Sequence, residues 1–74
     1  MKVYLIGVGM GSPETLTVGA LEAIRACPVL VGAPRLLESW GESHQCVPLI
    51  AAADIAEFIG KQKEGPIGVL LSGD

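Results

Sequence analysis

The stretch that most constrains this chain is its beginning. Val3-Tyr4-Leu5-Ile6 is an apolar run that passes directly into Gly7-Val8-Gly9-Met10-Gly11-Ser12-Pro13. A short run rich in β-branched and aromatic residues reads as a buried strand. Three glycines at alternate positions then let the backbone turn sharply and approach a ligand with no Cβ in the way. Ser12 is a suitable N-cap for a following helix, and Pro13 suits its first position, where a missing N–H costs nothing. Strand, glycine turn and helix start make a place where α/β proteins hold polar or anionic ligands.

The rest of the chain repeats this alternation. Glu14–Ala26 carries Leu16, Ala20, Ala23 and Ile24 at helical spacing, with Val18 and Leu21 widening the stripe. Glu14 in the first turn and Arg25 in the last suit the helix dipole. Gly19, costly in a helix interior, suggests close packing on a sheet. Pro28 ends that helix, and Val29-Leu30-Val31 forms a second strand, closed by Gly32-Ala33-Pro34. Pro34 starts a short helix through Leu36, Leu37 and Trp40, and Glu42–Gln45 is a polar loop. Cys46-Val47-Pro48-Leu49 supplies a third strand, placed by Pro48 at an edge or an end. Asp54 is expected to cap a helix with Ile55, Phe58, Ile59 and Gln62 on one side, and Gly65 to close it. Ile67–Leu71, almost wholly apolar, reads as a central strand. The order β-α-β-α-β-α-β predicts an α/β fold with a parallel sheet and right-handed crossovers.

Composition limits what this domain does. The chain has 74 residues, half of them hydrophobic and 18% charged, which is too apolar for the large surface of so short a chain. Its last residues are a strand and the start of a turn, so residues 1–74 read as an incomplete N-terminal domain of a longer protein. The alternative is a small oligomeric module. The net charge of −3, with no basic cluster, argues against nucleic-acid binding. No stretch approaches about 20 uninterrupted apolar residues, so no membrane span is expected. Cys27 and Cys46, isolated and accompanied by one histidine, read as reduced thiols of a cytoplasmic protein and not as a metal site. His44, in the polar loop, is read as exposed, and Trp40 and Phe58 as core.

The glycine turn is not a dinucleotide or triphosphate loop. Ser12 stands where the dinucleotide fingerprint needs its third glycine, and no carboxylate closes the second strand. No lysine lies between Lys2 and Lys61, which removes the triphosphate loop. The remaining reading is a site built across several strand ends: Gly7–Pro13, Gly32–Arg35 and Ser72-Gly73-Asp74. In a parallel sheet these share one rim.

These residues resemble a known family. Tyr4-Leu5-Ile6-Gly7-Val8-Gly9-Met10-Gly11-Ser12-Pro13-Glu14-Thr15-Leu16-Thr17 is similar to the opening of the tetrapyrrole methylases, commonly Val-Gly-x-Gly-Pro-Gly-x-x-x-x-Leu-Thr. Leu70-Leu71-Ser72-Gly73-Asp74 resembles that family's second signature, a strand ending in Gly-Asp. Val31-Gly32-Ala33-Pro34-Arg35-Leu36-Leu37 is similar to the branch that methylates C5 of the corrin precursor, precorrin-6Y or cobalt-precorrin-7, in cobalamin synthesis.

The resemblance implies a two-domain methyltransferase, usually a homodimer, that uses S-adenosyl-L-methionine and binds a tetrapyrrole in the cleft between its domains. It places Met10, Ser72, Gly73 and Asp74 at the methyl donor. Gly7, Gly9, Gly11 and Ser12 are placed towards the tetrapyrrole, with Arg35 as the group for one of its carboxylates. No residue is assigned a catalytic role. Met10 departs from the family's proline. Ala33 stands where uroporphyrinogen III methylases carry an acidic residue, so their proton removal is not carried over. The other readings are a uroporphyrinogen-type branch and a non-catalytic α/β module.

Overall fold

The computed structural model describes residues 2–9 and 16–72. Four strands, β1 (Val3–Gly7), β2 (Val29–Gly32), β3 (Gln45–Pro48) and β4 (Ile67–Leu71), form one parallel sheet in the order β1-β4-β2-β3. The connections are α1 (Val18–Ala26), then α2 (Pro34–Leu37) with a 3-10 turn over Glu38–Trp40, then α3 (Ala52–Lys61). This is the expected α/β fold. As expected, β4 is central and β3, which ends in Pro48, is an edge strand.

Alternation along the strands divides the core in two. Ile6, Leu30 and Leu70 face α1 and α2 and are buried with Ile24, Cys27, Leu36 and Leu37. Val29, Val31, Ile67 and Val69 face the other way, against Ile55, Phe58 and Ile59 of α3. The β1-to-β2 crossover carries α1 over one face, and the return from β3 to β4 carries α3 over the other. Each strand of the β4–β2 pair is therefore covered on both sides, which explains why their sequences are continuous apolar runs.

Five local expectations are corrected. Helix α1 begins at Val18, capped by Thr17, whose Oγ1 accepts from Ala20 N–H at 3.1 Å. The start expected at Ser12, Pro13 and Glu14 falls outside the described residues. Val18 is on its exposed side. Helix α3 begins after Ala51, which puts Asp54 in its first turn instead of at its cap, and Gln62 closes it in place of Gly65. In both cases apolar spacing located the helix but a cap-type residue misplaced its end. Gly19 is exposed, and a Cβ there would meet nothing within 4 Å. Gly19→Ala should thus stabilise the chain by about 0.5 kcal/mol, seen as a rise of a few degrees in the thermal midpoint. An unchanged or lower midpoint would contradict the open environment.

The fourth correction concerns β1, which is an edge strand and not a buried one. Ile67 N–H donates to Lys2 O at 3.0 Å and Val8 N–H to Leu71 O at 2.8 Å. The even positions thus turn their amides to β4, and Val3, Leu5 and Gly7 turn theirs outwards. Leu5 is 72% exposed and Val3 39%. With Leu71, Ile50 and the flank of α3 they line an apolar groove of about 340 Å³. Among the described residues no strand covers this edge, and an uncovered, uncharged edge favours strand pairing between molecules. We expect Leu5→Lys to shift sedimentation at high concentration towards the monomer, and an unchanged profile would exclude this edge as the cause of association.

His44 is half-buried, not exposed. Its Nε2 lies 3.0 Å from the Ile24 carbonyl and its Nδ1 2.7 Å from Ser43 Oγ. A carbonyl only accepts, so it is Nε2–H that donates to Ile24 O. The ring fastens the loop before β3 to the end of α1, with Trp40 edge-on at 5.9 Å.

Candidate functional site

The carboxyl ends of parallel strands form one edge, and ligands sit where neighbouring strands send their connections to opposite faces. Here that point lies between β2, which leads to α2 on one face, and β3, which leads to α3 on the other. A hollow of about 230 Å³ occupies it. One bank is the β2–α2 loop with Gly32, Ala33 and Arg35, the other is Leu49 and Ile50, and the floor is the end of β4 from Val69 to Ser72.

Each bank is held by the core. Leu36 and Leu37 are buried, which pins α2 and leaves Arg35 on the exposed side at the start of the helix. Leu36 N–H donates to Ala33 O at 2.9 Å, closing the turn. Gly32 packs on β4 so closely that a Cβ would lie 3.1 Å from Leu70 O and 3.3 Å from Leu70 Cβ. The opposite bank is set by Leu49 N–H donating to Val47 O at 3.0 Å, and it leaves Ile50 74% exposed at the lip.

The residues expected at the site divide into three groups. Arg35 and Ser72, assigned to different ligands on sequence, line the same hollow. Gly7 and Gly9 stand on the same edge beside Leu71, through the Val8–Leu71 hydrogen bond, but outside the hollow. Gly9 has φ +55°, a left-handed conformation that glycine adopts without strain. Met10, Gly11, Ser12, Gly73 and Asp74 lie outside the described residues.

Sequence reasoning missed the apolar bank. Leu49-Ile50-Ala51-Ala52-Ala53 is an apolar segment at a strand end, where a surface loop is usually polar. That was the available signal. The hollow therefore offers apolar walls, exposed backbone, one hydroxyl and one guanidinium.

That donor set suits a ligand with a flat apolar body and an anionic group. Among the described residues no group of three or more metal-ligating side chains occurs. Burial raises the thiol pKa of both Cys27 and Cys46, which keeps them protonated at neutral pH. Both side chains pack in the α1–α2 layer, so they are not nucleophiles of this edge. Among the described residues no helix is long and apolar enough to cross a membrane.

Comparison with known proteins agrees with this arrangement. The family model for tetrapyrrole (corrin/porphyrin) methylases matches residues 2–66. The precorrin-4 C(11)-methyltransferase of Pseudomonas aeruginosa is 38% identical over 56 residues, covering 74% of this chain and 22% of that protein. The chain thus spans about a fifth of that curated relative's length. No solved structure matches the chain. The parallel sheet, the hollow at its switch point and a match over almost its whole length lead to one assignment: this chain belongs to the tetrapyrrole (corrin/porphyrin) methylase family.

Proposed function

We propose that this chain is the donor-binding part of an S-adenosyl-L-methionine-dependent C-methyltransferase acting on a corrin-ring precursor in cobalamin synthesis. The observation that carries this reading is the switch-point hollow, with its apolar walls and single cation, in a chain of this family. The bound donor supplies a methyl group on a sulfonium, which is already electrophilic. The protein's own contribution is placement. The Gly32–Arg35 loop and the Leu49–Ile50 bank orient the ligand, the core-fixed β4 end forms a rigid floor, and the apolar walls exclude water. Met10, Gly73 and Asp74 are proposed to complete the donor side, and Gly7, Gly9, Gly11 and Ser12 to face the tetrapyrrole.

The proposed position of methylation is C5 of precorrin-6Y or cobalt-precorrin-7, on the Gly32-Ala33-Pro34-Arg35-Leu36-Leu37 segment. A second reading is C11 of precorrin-4, favoured by the Pseudomonas aeruginosa relative and its printed activity. The product of the reading frame that encodes this chain distinguishes them. With donor labelled at its methyl carbon, label at C5 of precorrin-6Y supports the first reading and label at C11 of precorrin-4 the second. Absence of transfer to either tetrapyrrole by a folded product excludes both.

A further inference from the structure

We propose that Arg35 holds the single carboxylate of the methyl donor and not a carboxylate of the tetrapyrrole. The inference rests on the donor-binding reading above and assigns a residue within it.

Its basis is where the cations lie. The chain has five Lys and Arg residues. Lys2 precedes β1, Arg25 is in the last turn of α1, Lys61 is in the last turn of α3, and Lys63 lies between α3 and β4. In a sheet whose strands all run one way, those four stand at the amino ends of the strands. Arg35 alone stands at the carboxyl ends, where the hollow opens. Arg35 is thus the cation that this chain brings to the carboxyl-end edge, beside the hollow.

Geometry supports the same pairing. Arg35 shares its hollow with Ser72 and with the apolar bank of Leu49 and Ile50, so one ligand reaches all of them. A hollow of about 230 Å³ is of a size to take a nucleoside-sized group. Among the described residues Arg35 makes no salt bridge; the ion pair present is Lys61–Glu57 on α3. Its guanidinium can bind a carboxylate through two parallel N–H donors, which a lysine cannot reproduce.

The test uses amide NMR shifts of the full product of the reading frame that encodes this chain, with three titrants. S-adenosylhomocysteine carries the nucleoside and the carboxylate, 5′-methylthioadenosine carries the nucleoside alone, and coproporphyrin III stands for the tetrapyrrole carboxylates. Arg35→Gln is expected to weaken S-adenosylhomocysteine about tenfold and to leave methylthioadenosine unchanged, with Arg35→Lys between wild type and Arg35→Gln. Unperturbed amide shifts in α1 and α3 show that each variant is folded. If Arg35→Gln leaves S-adenosylhomocysteine binding intact, or weakens both nucleosides equally, Arg35 is not the carboxylate anchor, while the donor reading survives. If it weakens coproporphyrin alone, the arginine belongs to the substrate and the proposal is overturned. If neither nucleoside moves the amides of Gly32, Ile50 or Ser72 in the wild type, the donor reading fails and this inference with it.

Discussion

Leu30→Ala is expected to remove about 3 kcal/mol of stability, a large share of the chain's total. Leu30 is fully buried at the middle of β2 and packs in the layer of Ile6, Ile24, Cys27 and Leu70. Truncating a buried leucine costs the transfer free energy of the lost methyl groups and the cavity left behind, typically about 2–5 kcal/mol. A domain of this size has about 4–11 kcal/mol in total. Urea denaturation followed by far-UV circular dichroism measures the loss. A change below about 1 kcal/mol would show that β2 does not carry the core in this way. The consequence reaches the site, because β2 bears the Gly32–Arg35 loop.

The second large effect is at Gly68, which pairs with Leu30 across the β2–β4 ladder. A Cβ at Gly68 would lie 2.9 Å from Leu30 Cδ2, 3.1 Å from Ile6 Cδ1 and 3.2 Å from Cys27 Sγ. Gly68→Val adds that carbon and two more where no space exists, and overpacking of this kind costs about 1–3 kcal/mol or more. The closest obstacle is the tip of Leu30, so the two sites must couple. Gly68→Ala should be destabilising in the wild type and close to neutral, or stabilising, in the Leu30→Ala background. Thermal melts of the four proteins of that cycle measure the coupling. Strict additivity would mean that β4 moves away as a unit and that the contact with Leu30 is not what makes glycine necessary.

Much of this site was legible in the sequence as chemistry and almost none of it as geometry. Arg35 and Ser72 were readable as strand-end residues because glycines, prolines and short apolar runs mark where each strand stops. Their shared hollow was not readable, because it depends on β2 and β3 sending their connections to opposite faces. The Leu49–Ile50 bank was missed for the same reason, since an apolar loop segment acquires meaning only when an opposite wall exists.

The sequence by itself determined the α/β class, the parallel direction of the strands, the central position of β4 and the edge position of β3. These follow from local periodicity and from connection lengths, which short-range sterics control. It also carried the family resemblance, which the match over residues 2–66 bears out. The tertiary structure decided the order β1-β4-β2-β3, and with it the open edge at Leu5, the demand for glycine at Gly68 and the isolation of Arg35 among the cations. Strand order is a choice among crossovers of similar local cost, settled by which apolar faces cover each other. No residue specifies that choice without its distant partners.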